Sequence, residues 1–355
     1  MKRNYRIFLL MIGCICCLMF SFSEAAVPGT AAGDWELVMD KNGIKAYSRK
    51  VCGSGIFEFR AVMVVDAAPE VVGEMLRDVP SDTEWLPYCD EARVLEKQDQ
   101  NNFTIYLSFD LPWPVKDRDL VMKSVTEYDF DHARAVSNLF STEVAACPPN
   151  DSHIRMTDMT GQYVFEFVTR QRTGIIHTYR ADLRGNIPEW MANYATQNNI
   201  YNTFMNMKEM FKKEKYIALG KNSPDRELTD GFLADKQRVK NVLEARLREF
   251  IGDGDFVDMM MKESRNVDDV LDADNGRISE TLLYGWGSEE SKKEAIRVVL
   301  EIYLAGLTRD EKLTRTILND DQLVETILRG PAPGQKTSRQ IIAGYLASGC
   351  STGNR

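Results

Sequence analysis

The chain has three histidines, His132, His153 and His177. They are too dispersed to give metal-ligand spacing. No G-x-S-x-G, H-E-x-x-H or glycine-rich phosphate loop occurs. Asp272-Ala273-Asp274-Asn275-Gly276 has the composition of a calcium loop, but its glycine comes one residue early. Leu283 stands at the twelfth position, where such a loop needs a bidentate glutamate. The segment therefore reads as a polar helix connector. The sequence offers no catalytic, metal or cofactor constellation, so the reading it favours is non-enzymatic.

The first residues carry an address. Lys2, Arg3 and Arg6 precede an apolar run from Ile7 to Phe22, and Ser23-Glu24-Ala25 offers small residues before a cut. This is the pattern of a secretory signal peptide over 1–25, with an uncleaved anchor as the alternative. Export is expected, to the periplasm if the source is bacterial and to the exterior otherwise. Cys52, Cys89, Cys147 and Cys350 lie beyond the signal. Their number permits disulfides in an oxidising compartment, and free buried thiols are an equal alternative.

The net charge is −9, from 44 Lys+Arg against 53 Asp+Glu. That balance excludes general nucleic-acid binding and a broad electrostatic grip on anionic membranes. A chain of 355 residues that is 44% hydrophobic can build two cores.

Between Trp35 and Leu183 the apolar period is two. Phe57, Phe59, Ala61 and Met63 alternate with Glu58 and Arg60, and Phe103, Ile105 and Leu107 alternate with Thr104 and Tyr106. Tyr163, Phe165 and Phe167 form a third such stripe, and Ile175, His177 and Tyr179 a fourth. This predicts antiparallel strands with one buried face. Asn42-Gly43 predicts a hairpin turn. Pro69 to Arg77 and Pro188 to Lys213 have helical spacing, each with proline in the first turn. A curved sheet gripping the second helix would leave space between them. Residues 217–231, with Gly220, Pro224 and Gly231, read as a linker; 232–330 as a small all-helical domain; and 331–355 as a flexible tail.

Residues 34–216 resemble the START family of steroidogenic-acute-regulatory-related lipid-transfer domains. Trp35-Glu36-Leu37 with Asn42-Gly43-Ile44-Lys45-Ala46-Tyr47 is similar to the family's opening hairpin. Asp66-Ala67-Ala68-Pro69-Glu70 resembles its strand-to-helix junction, and Gly185-Asn186-Ile187-Pro188-Glu189-Trp190 the start of its closing helix. The most specific block is Pro112-Trp113-Pro114-Val115-Lys116-Asp117-Arg118-Asp119. The resemblance implies an α+β helix-grip fold: a curved antiparallel sheet around a long C-terminal helix, with a tunnel between them for one lipid. Sterol, phospholipid and another apolar ligand all remain open. Transient membrane contact and a protein partner for the helical domain are further expectations. The resemblance also leaves an enzyme of the cyclase or hydrolase type as the alternative.

Candidate lipid contacts on strands are Phe59, Met63, Phe103, Leu107, Met122, Tyr163, Phe165, His177 and Tyr179, joined by Trp85 and Trp113 from connections. Met191, Tyr194, Tyr201 and Met205 are the candidates on the closing helix, which is expected to act as a lid. Arg118 and Asp119 are expected to fix a turn rather than a head group. Sterol-carrying relatives place an acidic residue and an arginine inside the tunnel. The nearest positions here are Tyr106 or Leu107 and Ser124, which are not a charged pair.

Overall fold

Alternating apolar residues produce ten strands, seen in a computed structural model. It describes residues 34–51, 55–113, 115–185, 187, 189–263, 277–285 and 288–350; the side chains of 189–196, 263, 349 and 350 lie outside that description. So do the expected signal peptide, Cys52 and the segment from Asp272 to Gly276.

The strands are β1 (Glu36–Lys41), β2 (Ile44–Lys50), β3 (Phe57–Val65), β4 (Cys89–Lys97), β5 (Asn102–Phe109), β6 (Arg118–Asp129), β7 (Arg134–Ser141), β8 (Ile154–Met156), β9 (Met159–Thr169) and β10 (Arg172–Ala181). They form one curved sheet in the order β1-β2-β3-β10-β9-β7-β6-β5-β4, antiparallel throughout, with short β8 added parallel to β6. Asn42 and Gly43 both take positive φ in the β1–β2 turn, as a tight hairpin requires. Helix α1 (Pro69–Arg77) and a 3-10 turn (Val79–Glu84) fill the long connection from β3 to β4. Helix α2 (Glu189–Met210) lies across the sheet, and α3 (Glu214–Gly220) follows it.

The concave face carries the expected stripes. Ile44, Ala61, Met63, Leu107 and Ile175 pack against Ile200, Phe204 and Met207 of α2 and Tyr216 of α3. The other face is not solvent-exposed where it meets the C-terminal region. Tyr47, Val62 and Ile176 are buried there with Leu283.

Two expectations about the C-terminal half are corrected. Residues 217–231 are not a linker: they complete α3 and form most of α4 (Pro224–Ala234). Ser223 caps α4 by accepting a hydrogen bond from Asp225 N, and Pro224 takes the first helical turn, so the proline starts a helix rather than ending one. Gly220 is small because it lies against Glu70 and Val71 of α1. Within the expected tail 331–355, Ser338–Cys350 is a helix and not a loose segment. Beyond α5 (Lys236–Phe250), α6 (Gly254–Glu263), α7 (Arg277–Gly285), α8 (Glu289–Leu307), α9 (Glu311–Leu318) and α10 (Asp321–Arg329), helix α11 (Ser338–Cys350) buries Ile342 in the helical core. Ser338 N donates to Asp253 Oδ2 at 3.1 Å.

The helical region is fastened to the sheet, and Ala32–Arg355 is one compact unit. Arg246 of α5 donates to three carbonyls, His132 O at 2.9 Å, Phe167 O at 2.8 Å and Ala133 O at 3.0 Å. Tyr284 of α7 accepts from Val64 N and donates to Gly43 O. Leu283 sits over Gly174, where a Cβ would be 2.8 Å from a leucine methyl.

Candidate functional site

A cavity of about 200 Å³ lies between the concave face, α1, the 3-10 turn and α4. Strand pairing builds its floor. Phe103 stands opposite Ser124, and Ile105 opposite Met122, so β5 and β6 present these four side chains to one face. Ser137 and Leu139 of β7 and Tyr163, Phe165 and Phe167 of β9 extend that surface. Val72 and Leu76 come from α1, Val79, Asp82 and Trp85 from the connection after it, and Leu228 and Phe232 from α4.

The lining is mostly hydrocarbon, with few polar groups. The Ser124 and Ser137 hydroxyls satisfy each other at 3.2 Å. Trp85 Nε1 donates to Asp82 Oδ1 at 3.0 Å. Burial pushes the Asp82 carboxyl up to about 8, although the Trp85 hydrogen bond opposes the shift. A value near 8 keeps this acid largely neutral at ordinary pH, so the deep part of the lining beside Trp85 carries little charge.

The rim is more polar. Arg77 Nη2 donates to both Asp225 oxygens, at 3.0 and 2.8 Å, and Tyr128 donates to Asp225 Oδ1 at 2.6 Å. Burial acts against the charged guanidinium, but Asp225 wins and holds Arg77 above its ordinary value. Burial and the bond to Asp225 push the Tyr128 hydroxyl up to about 12. Phe130 and Leu228 leave apolar surface exposed beside this polar cluster.

Five candidate contacts, Trp85, Phe103, Met122, Tyr163 and Phe165, line the cavity. Phe59, Met63 and Leu107 lie on the concave face but are core, not lining. His177 is also core: it stacks between Tyr163 and Tyr179, with centroids 3.8 and 4.9 Å away, and its Nδ1 lies 3.3 Å from Gln162 O. Burial pushes its imidazole down to about 3, which keeps it neutral. Tyr179 packs at the edge of the same core.

Trp113 does not face the cavity; it is 92% exposed. It lies in the β5–β6 connection, at the opposite end of these strands from Asn101 and Tyr128 at the rim. Tyr201 and Met205 are half-buried on the α2 face that meets Asn42, whose amide donates to Tyr201 Oη at 2.8 Å. Met191 and Tyr194 belong to α2, but their side chains lie outside the described residues. None of the described α2 side chains lines the cavity.

Arg118 donates to Leu183 O and Arg184 O at 3.2 and 3.0 Å and to Lys116 O, tying β6 to the segment before α2. Asp119 accepts two bonds from Arg155, at 2.9 and 2.8 Å, in a nearly dry pair. Both are architectural. Ser124 lines the cavity, whereas Leu107 is core and Tyr106 clusters with Val121 and Cys147 on the other face. Cys89 and Cys147 are buried free thiols.

Sequence reasoning missed Arg77, Asp82, Tyr128 and Asp225. The Ser223-Pro224 start of α4 was the available signal for the last.

Residues 24–216 match the family model of the START domain. The chain is 28% identical over 200 residues to an uncharacterized protein of Pseudomonas aeruginosa, covering 55% of this chain and 98% of that one. It is 24% identical over 206 residues to the phosphatidylcholine transfer protein of Mus musculus, covering 56% and 95% of the two chains. Among solved structures, a STAR-related lipid transfer protein fragment from Xanthomonas axonopodis is 26% identical, with a TM-score of 0.48, 51% of this chain covered and 100% of that one. The family match spans more than half of the sequence, and the chain belongs to the START domain family.

Proposed function

We propose that the protein is an exported, non-catalytic lipid carrier that holds one lipid with its apolar part in the cavity under α1 and α4. The observation that carries this reading is the lining: aromatic and aliphatic side chains surround a few polar groups that already satisfy one another. Such a surface gains by exchanging water for hydrocarbon. It also lacks, among the described residues, a histidine or cysteine that could work with Asp82 as an acid–base or nucleophilic pair. The relative named a phosphatidylcholine transfer protein supports a phospholipid as the cargo. At about 200 Å³ the cavity is smaller than most ligand sites, so cargo with two acyl chains requires it to widen.

Transfer requires contact with a membrane. The exposed Trp113, flanked by Leu111 and Pro112, has the amphipathic character that settles at a lipid–water boundary. The signal-peptide pattern in 1–25 supports action outside the cytoplasm. The test is transfer of a fluorescent phosphatidylcholine between donor and acceptor vesicles. Catalytic amounts of the protein should accelerate transfer without altering the lipid, and Trp113→Ala should slow it. Chemical conversion of the lipid would replace the carrier reading with an enzyme.

A further inference from the structure

We propose that α4, which lies beyond the START match, is a working part of the lipid site: Leu228, Thr229 and Phe232 contact the bound lipid, and Asp225 latches the helix over the cavity mouth through Arg77. This rests on the lipid-carrier reading and adds a wall, and a way in, that the matched residues do not supply. Those three side chains of α4, with Asp225, lie on the cavity surface although the match ends at residue 216. Phe232 meets Phe167 of β9 edge-on, with ring centroids 5.5 Å apart, so cargo against Phe167 also meets α4.

The way α4 is held distinguishes it from α2. The described part of α2 buries Ile200, Phe204, Met207 and Met210 at 0–3% exposure. At roughly 1.5–3 kcal/mol for each such side chain, lifting α2 is costly. Phe232 is the only fully buried apolar side chain of α4. The rest of its attachment is polar: Asp225 to Arg77 and Tyr128, Ser223 Oγ to Glu74 at 2.7 Å, and Asp230 to Arg170 at 3.1 Å. Arg170 in turn holds Glu70 of α1 at 2.9 Å. When α4 lifts, these polar groups pass into water that solvates them, whereas lifting α2 would expose hydrocarbon, so α4 is the element that opens first. Gly73 on α1 makes the latch possible, because a Cβ there would overlap the Asp225 carboxylate.

The full chain is loaded from vesicles of phosphatidylcholine bearing a diazirine on its acyl chain, irradiated, and its labelled peptides mapped. Labels should fall in 224–234 as well as on the strands of the cavity. Labels confined to 34–216 would overturn the proposal and leave the carrier reading intact; no labelling at all would overturn both. In parallel, Asp225→Ala should raise vesicle-to-vesicle transfer about tenfold, equivalent to ~1.4 kcal/mol. An unchanged rate overturns the latch even where α4 is labelled. The labelling uses the wild-type chain and does not depend on how well the variant folds.

Discussion

Gly73 and Asp225 are 152 positions apart, yet the absence of a side chain at one is what lets the carboxylate of the other reach Arg77. Glycine within a helix normally costs about 1 kcal/mol relative to alanine. Here α1 bears that cost at its fifth residue, and the return is the ion pair at the cavity rim.

A double-mutant cycle should expose this coupling. In the wild-type background, Gly73→Ala should destabilise the protein by about 1–3 kcal/mol, because Asp225 is pinned by Arg77 and Tyr128 and cannot yield freely. In an Asp225→Ala background the same change should stabilise by up to about 1 kcal/mol, as helix propensity alone dictates. Urea unfolding of the four proteins measures it. The same sign in both backgrounds would remove the steric link.

Asp82 makes stability depend on pH in an unusual direction. Its folded value is raised to about 8 from an ordinary 3.8. Between those values the unfolded chain has released the proton and the folded chain keeps it. The contribution is therefore present below the unfolded value and is lost as pH rises through the folded one. Asp82→Asn should remove a downward slope of at most about 1.4 kcal/mol per pH unit across that window. Denaturation curves of both proteins from pH 5 to pH 9 check this. Parallel profiles would mean that Asp82 is ionised in the fold.

The sheet was legible because its signal is local. Phe103, Ile105 and Leu107 alternate within one strand, and the same faces appear in the structure. The split of those residues into lining and core was not legible. Ile105 lines the cavity and Leu107 does not, a difference set by what packs over each from elsewhere in the chain and by no local pattern. Arg77 reads as ordinary helix-surface charge and Asp225 as linker charge until long-range packing joins them. Residues 217–231 read as a linker because Gly220, Pro224 and Gly231 stand among few apolar residues. Yet Gly220 answers a close contact, and Pro224 sits behind a serine cap. On the outer sheet face, Val62, Val64 and Ile176 fit a strand pattern, but α7, whose Leu283 and Tyr284 pack on them, comes from far along the chain.

Arg246 should hold the helical region to the sheet. Arg246→Met leaves three backbone carbonyls without their donor and should cost about 2–4 kcal/mol. Loss of that clamp should also split one unfolding transition into two, followed by calorimetry. A single transition at the wild-type temperature would show that Leu283 and Tyr284 suffice.

The central claim is that the cavity under α1 and α4 holds one lipid. Native mass spectrometry of the purified chain, beside a Ser137→Trp variant that fills the cavity from β7, tests it most directly. The account predicts one bound lipid per wild-type chain, released intact on extraction, and an otherwise folded variant that carries none. Equal lipid occupancy in the two proteins, or a wild-type chain that takes up no lipid from vesicles, would contradict it.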